Sequence, residues 1–575
     1  MHYPLGWLVF AMLMSTPAVS GTLVLQITGL SSEVEKSVRA RLTLAQYLER
    51  DVTESRVQQL LVSGDTQIRE ALEPFGYYGA TVTHRLESHG GQLHAEFQVD
   101  PGEPVRVTEV RVSVSDDAAR IPAVARALAD FVPKSGAPLR HDEYEYSKAA
   151  VSNALANAGY LSARIRDHRV AVTTATRTAT IDLSWDCGLR YRFGPARFPA
   201  TRFSAALLAR MVPWTEGEDY SADKLFEFQR RLNNADYFAT TRVLPRLAEA
   251  QDGRVPVDVE LAPAKRDIYG GGIYVSTDTG AGVNLTYQRR WLNTSGHKFQ
   301  AEGDYAERLQ AASLGYRIPF AGAHERALTF GITYRDETTD STQENTTKLA
   351  INETRKWPRY TRTLGIQMIG GDFEIGSEQG NSDELYAEAV LTRTVSDDPA
   401  FPHEGHSLMS ALRVAPSNVI SRTRFAALET RGKWIWSPGA RQRLILRGNL
   451  AAMGVDDFDE LPPELRFFAG GDRSIRGFDY EAIGSSNDAG DVIGGTFLGV
   501  VSTEYERYFD RKWGAAVFVD AGDAFLSDDF DWNIGAGLGA RWKSPVGVVR
   551  LDVAVPVETE LKKSWRVHLT IGPDL

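Results

Sequence analysis

From about residue 269 to the C-terminus, apolar and polar positions alternate in segments of roughly ten residues, separated by Gly, Asn, Asp and Ser. The clearest are 282–290, 297–305, 311–318, 328–334, 362–368, 385–393 and 443–450, and about sixteen can be counted. A period of two predicts strands with one apolar and one polar face. Strands of this length in even number predict a transmembrane antiparallel barrel, apolar outside and polar within. Parity makes the case on single strands. In 513–522, Trp513, Ala515, Val517, Val519 and Ala521 share a face, opposite Gly514, Ala516, Phe518, Asp520 and Gly522. In 531–542, Trp532, Ile534, Ala536, Leu538, Ala540 and Trp542 oppose Asp531, Asn533, Gly535, Gly537, Gly539 and Arg541. In 565–571, Trp565, Val567, Leu569 and Ile571 alternate with Arg566, His568 and Thr570. A soluble β-sandwich also alternates, but sixteen strands with charges on the inner face fit a two-layer core poorly.

The N-terminal half has a different rhythm and repeats itself. Leu72–Glu73–Pro74–Phe75–Gly76–Tyr77–Tyr78, Leu155–Ala156–Asn157–Ala158–Gly159–Tyr160–Leu161 and Leu232–Asn233–Asn234–Ala235–Asp236–Tyr237–Phe238 recur about eighty residues apart. That spacing suits small domains, not solenoid units. Each copy predicts a helix closing on a left-handed Gly or Asp, and then strands. The alternating runs 94–99, 179–185 and 257–261 predict sheets with one face on helices. Runs 23–27 and 107–112 open the first two units. The expected organisation is three α+β domains, 21–100, 101–188 and 189–265, followed by a barrel over 266–575.

Composition narrows the setting. A net charge of −11 leaves no basic stripe for phosphates, so no nucleic-acid partner is expected. No run of 18 apolar residues is present, so no membrane helix is expected; a barrel escapes that test. Residues 1–20 read as a secretory signal, with an apolar core from Leu5 to Met14 and small residues Ala18–Val19–Ser20 before the cut. The single cysteine, Cys187, cannot form an internal disulfide and reads as buried. An enzyme is not expected. There is no Gly-x-Ser-x-Gly elbow, and His403–Glu404–Gly405–His406 lacks the spacing that puts two metal ligands on one helical face, so it reads as a barrel turn. The Gly535–Gly539 run has period two inside a strand and reads as room in the lumen. No cofactor and no metal site are expected.

The candidate site lies in the long loop near 452–492, in Gly470–Gly471–Asp472–Arg473–Ser474–Ile475–Arg476–Gly477–Phe478. A guanidinium keeps its proton and needs carboxylate partners inside a protein. Asp520 is on the lumen face by parity, and so is Glu504, which alternates with Val501 and Tyr505. The expectation is a loop folded into the bore and latched by Arg476 to both acids. Loss of one partner of a buried pair of this kind costs about 3–5 kcal/mol.

Ile475–Arg476–Gly477–Phe478 in a long inward loop, with Phe518–Val519–Asp520–Ala521–Gly522 on a following strand, resembles the BamA/TamA superfamily of outer-membrane insertases and transporters. The repeats resemble its POTRA domains, and Glu504 falls where the family has a partner glutamate. Three repeats and the ending Ile571–Gly572–Pro573–Asp574–Leu575 are similar to the TamA branch. Two departures are Asp236 in place of a repeat glycine and a terminal Leu575 in place of an aromatic. The resemblance implies an outer-membrane barrel with periplasmic POTRA domains, which assists insertion and secretion of autotransporters and other barrel proteins. It implies unfolded outer-membrane clients, a TamB-like inner-membrane-anchored partner and contact with outer-membrane lipid. It implies latch residues Arg476, Gly477, Phe478, Glu504, Asp520 and Gly522, and a weak seam between the first and last strands. For the seam, Gly270, Gly271 and Gly272 weaken one edge, while Trp565 and Gly572 bound the other, where Pro573 stops the ladder. The alternatives are a passive outer-membrane pore, which leaves the repeats and latch unexplained, and a two-partner secretion transporter, whose usual two POTRA domains and plugging N-terminal helix are not seen.

Overall fold

The computed structural model describes residues 20–276, 278–320, 325–398, 400–416, 420–527, 530–544, 547–558 and 565–572. The expected signal segment up to residue 19, and the terminal Pro573–Asp574–Leu575, lie outside the described residues. The chain forms two compact units, and the third repeat is divided between them. One unit holds the first two repeats with Trp214–Phe226 and Leu244–Asp258; the other holds Phe198–Pro213, Glu227–Val243 and the chain from Val259 on.

In the first repeat, strands Ser20–Thr28, Thr81–His89 and Gln92–Asp100 form a sheet covered by helices Ser32–Arg41 and Glu54–Leu72. The opening strand runs parallel to the closing one, which pairs antiparallel with the strand before it. The second repeat has the same plan, with strands Arg106–Ser113, Arg164–Thr173 and Thr178–Asp186. The third uses Arg192–Arg197, Phe238–Pro245 and Arg254–Pro263. Period-two burial follows: Leu93, Ala95, Phe97 and Val99 are buried on Gln92–Asp100, and Val57, Leu61 and Ile68 meet them from the long helix. Cys187 is free and buried in the second core with Trp185.

The recurring Gly/Asp–Tyr step has a structural purpose. Gly76, Gly159 and Asp236 all take left-handed φ, of 90°, 93° and 62°. In the first two copies the carbonyl just past the helix accepts from the next segment, Val105 N–H onto Gly76 at 2.8 Å and Tyr191 N–H onto Gly159 at 2.8 Å. The third copy tolerates aspartate because Arg290 Nε donates to its carboxylate at 3.0 Å, and the Tyr237 hydroxyl donates to Gly296 O at 2.7 Å.

After the repeats, sixteen antiparallel strands follow in sequence order, from Asp267–Ser276 to Arg566–Gly572. Among the described residues no helix is long and apolar enough to cross a membrane, which says nothing against a barrel. The outer face carries Val517, Val519, Leu538, Leu551, Val553 and Val555, all exposed, while Ala516, Phe518, Asp520, Asp552 and Ala554 turn inward and are buried. The bore is not simply polar. Inside it the segment between Gln442–Val455 and Phe497–Tyr508 builds an apolar core, in which Leu461, Leu465, Phe467, Ile475, Phe478 and Ile483 pack on Tyr386, Phe425, Met453 and Val500 of the wall.

Within the second repeat, the neighbouring Ser115 hydroxyl and the Tyr160 hydroxyl, which donates to Asp117 at 2.6 Å, lower the Asp117 carboxyl to about 2. A depressed folded-state value means the contribution is full above the unfolded carboxyl value and is lost as pH falls from about 4 to about 2. Tyr160→Phe is expected to cost about 0.5–1.5 kcal/mol at neutral pH. Amide exchange over 141–157 in the full chain should quicken in the variant at pH 6 and converge with wild type near pH 2.

Candidate functional site: a buried arginine latch beside an open seam

Two glycines and parity put Arg476 where it is. Gly477 takes φ 101°, which turns the loop tip against the wall. On the strand Asn533–Ser544, a Cβ at Gly535 would sit 1.9 Å from Arg476 O, so only glycine there lets the tip lie flat. The run of period-two glycines does make room in the lumen, as its spacing suggests.

The Arg476 guanidinium is 3 % exposed. Its Nε and Nη2 donate to the two oxygens of Asp520 at 2.7 and 2.9 Å, the bidentate arrangement in which arginine binds carboxylates most strongly. Its Nη1 donates to Glu504 at 2.8 Å and to Asp552 at 3.0 Å. Its own backbone N–H adds a bond to Asp520 at 3.1 Å, and the Phe518 ring lies 3.4 Å from the guanidinium carbon. The expected trio of Arg476, Glu504 and Asp520 is therefore together, but it is part of a larger array. Arg541 donates to Glu504 at 2.6 Å, Glu506 at 3.0 Å and Asp552 at 2.5 Å. Arg443 lies 3.2 Å from Glu506, and Arg447 reaches Asp520 at 3.4 Å. Four guanidiniums thus face four carboxylates, which is how so many ions persist at low exposure.

The remaining candidates fall in several places. Phe478 is buried in the apolar core of the bore. Gly522 does not touch the latch; its Cβ would lie 2.1 Å from Gly499 O, so it serves close strand approach. Trp565 is exposed just before the last strand, and Gly572 ends that strand opposite Val548. Gly270, Gly271 and Gly272 lie on the first strand, exposed on both faces. A Cβ at Gly272 would meet nothing within 4 Å, and at Gly271 it would meet a leucine methyl at 3.3 Å and Asn284 O at 3.6 Å, so crowding does not require glycine at either.

Between the first and last strands no backbone ladder forms among the described residues, although their Cα atoms come within 8 Å. The loop spans this gap with backbone N–H groups as well as side chains. Asp472 N–H donates to Asp278, beyond the first strand, at 3.3 Å, and Ser276 Oγ donates to Asp472 at 3.3 Å. On the last strand, His568 Nε2 accepts from Gly477 N–H at 3.0 Å, which leaves its Nδ1–H to bond Asp472. Arg566 pairs with Asp479. A lumen cavity of about 1130 Å³ opens beside these contacts, lined by Tyr274 and Ser276, by Leu569 and Thr570, and by the loop.

The sequence reading missed Asp552, Arg541, Asp472 and His568 as members of this site. Arg541 and His568 stand on the polar face by parity, and the same alternation against Leu551 and Val553 identifies Asp552.

Arg476→Ala would leave Asp520, Glu504 and Asp552 short of one charge. It is expected to cost about 3–5 kcal/mol, visible as loss of the heat-resistant compact band on unboiled gels. Gly535→Ala, which keeps every charge, should give the same loss by pushing out the loop. A compact band unchanged in both variants would show the latch to be dispensable for the barrel.

The comparisons bear on the fold and the family. Residues 272–574, just over half of the chain, match the Omp85 superfamily domain, and residues 24–101 match the model described as POTRA domain TamA domain 1. The chain is 24 % identical over 380 residues to the outer membrane protein assembly factor BamA of Nitratidesulfovibrio vulgaris, covering 61 % of this chain and 47 % of that protein. It thus spans about half the length of that curated relative. Among solved structures, BamA from Haemophilus ducreyi lacking POTRA domains 1–3 superposes with a TM-score of 0.66 at 18 % identity, over 81 % of this chain and 99 % of the other. CdiB from Escherichia coli aligns over 95 % of this chain and 98 % of its own, at 13 % identity and a TM-score of 0.48. With its sixteen-stranded barrel in the outer membrane and its POTRA domains in the periplasm, the chain belongs to the Omp85 superfamily.

Proposed function

We propose that the protein assists insertion and secretion of autotransporters and other β-barrel proteins at the outer membrane, as a TamA-like member of its superfamily. The observation that carries this reading is the pair of strand edges with no ladder between them among the described residues, bridged there by backbone and side-chain groups of the latch loop. A free edge presents unpaired N–H and C=O groups and is a template for an incoming strand. In this reading the three repeats, 21–100, 101–188 and 189–265, receive unfolded clients in the periplasm. A client strand then pairs with the glycine-rich first strand, where Ile273 is 88 % exposed. The match of 24–101 to a TamA POTRA model supports the TamA branch, and with it a TamB-like inner-membrane-anchored partner for the first repeat. The sequential step is a loosening of the loop contacts to Ser276, Asp278 and His568, with Arg476 still clasped.

A passive pore is less well supported, because the loop fills part of the bore with an apolar core.

A disulfide joining one residue of 270–276 to one of 566–571 should abolish client insertion into proteoliposomes, with recovery on reduction. Full insertion by the oxidised protein would exclude the seam as the route. Gly272→Val, at a position where a Cβ would meet nothing within 4 Å, stiffens the first strand and is expected to lower the insertion rate several-fold while the barrel stays folded.

A further inference from the structure

At the other end of the barrel from the latch loop, a cavity of about 450 Å³ lies between the third-repeat helix residues from Glu227 on and the periplasmic ends of barrel strands three to six. We propose that this cavity binds the headgroup of an anionic phospholipid from the periplasmic leaflet of the outer membrane.

Charge is the first argument. Six cationic side chains and two carboxylates line the cavity. Glu227 is paired with Arg231 at 2.5 Å and Arg326 with Glu353 at 2.6 Å, while Glu325 accepts from the Asn234 amide at 2.6 Å and keeps its charge, so the cations still outnumber the acids. Lys298 stands 3.9 Å from Asp236. Arg230, Arg317 and Lys356 have no paired acid among the described residues, and all three are exposed. A cluster of unmatched cations held by two separate structural elements repels itself unless an anion joins it.

Position is the second argument. The even-numbered turns of the barrel lie on the periplasmic side, since the repeats precede the first strand. On that side exposed Trp434, Trp436, Trp513 and Trp542 mark the membrane interface. The cavity opens at this level between Phe320 and Trp357, which follow the same outward parity as Leu314 and Leu349. Trp357 stacks on Tyr360 with ring centres 4.6 Å apart, under the Arg355 guanidinium at 4.8 Å. The inward-facing cations Lys298, Arg317 and Lys356 sit just behind this aromatic pair. A ligand spanning both must be anionic at one end and apolar at the other, which fits a phospholipid and not a free ion. Multivalent contact of basic side chains with lipid phosphate at a membrane boundary is worth about a factor of five per cation.

The test is native mass spectrometry of the full chain released from detergent micelles with phosphatidylglycerol, phosphatidylcholine or inorganic phosphate added. Wild type is expected to retain one phosphatidylglycerol in preference to phosphatidylcholine. Arg317→Gln with Lys356→Gln should weaken that retention roughly 20–30-fold. Trp357→Ala, which keeps the charges and guards against a misfolded double variant, should weaken phosphatidylglycerol and leave phosphate unchanged. Equal retention of the two lipids, or retention unchanged in all the variants, overturns the proposal. So does displacement of phosphatidylglycerol by equimolar phosphate, which would make the cavity a site for small free anions.

Discussion

The structure turns on one balanced array of charge inside a cylinder. Arg476 enters from a loop and meets Asp520, Glu504 and Asp552, each carried by a different strand of the wall. Taking an ion from water is costly, and the cost is met only where geometry and count both match. Here they match through Arg541, which holds Glu504 and Asp552 in place from a strand between them. The loop therefore cannot leave the bore without exposing three acids to each other, and the wall cannot shift without breaking a bidentate pair. A barrel whose first and last strands share no ladder among the described residues needs such an internal brace more than a fully closed one does.

Much of this was legible from alternation, and the limits of alternation explain the rest. Parity says which face a residue takes, so Asp520 and Glu504 could be placed in the lumen with nothing more than their neighbours. Parity does not give height along the bore. Arg541, Asp552 and His568 are on the correct face by the same rule, but only the stagger between strands brings Gly539 opposite Asp552 and so sets Arg541 beside the acids. The apolar plug was invisible for another reason. Leu461, Leu465, Phe467, Ile475 and Ile483 belong to a loop with no period, and nothing local tells a buried loop leucine from an exposed one. In the third repeat the opening strand Arg192–Arg197 contains Gly194 and Pro195, which erase the alternation seen in the two earlier openings.

The seam and the latch are mechanically distinct although they share a loop. Arg476 is fastened to strands twelve, thirteen and fifteen, well inside the continuous ladder. Asp472 and Asp479 lie four and three residues away on the same loop and touch the two edges, through Ser276 and Asp278 on one side and His568 and Arg566 on the other. The edge contacts are fewer than those of the clasp: single hydrogen bonds worth about 1 kcal/mol each, the part-exposed Arg566–Asp479 pair, and the buried His568–Asp472 contact. The clasp at Arg476 is a network of bonds at low exposure. In the proposed function, strain from an incoming strand would break these fewer edge contacts first and leave the loop anchored at Arg476.

In the proposed function, that ordering would account for the glycines of the first strand. A ladder between two edges competes with any incoming strand for the same N–H and C=O groups. Gly271 and Gly272 are not forced by space, since a Cβ at the latter would meet nothing. Their effect is to withhold cross-strand side-chain contacts, each worth about 0.2–1 kcal/mol, from the closed state. In the proposed function, an edge stripped of those contacts gains little from self-closure and keeps its backbone hydrogen-bonding groups for a client strand. The cost in barrel stability is offset at a distance by the buried arginine, so that closure strength and barrel integrity are set by different residues.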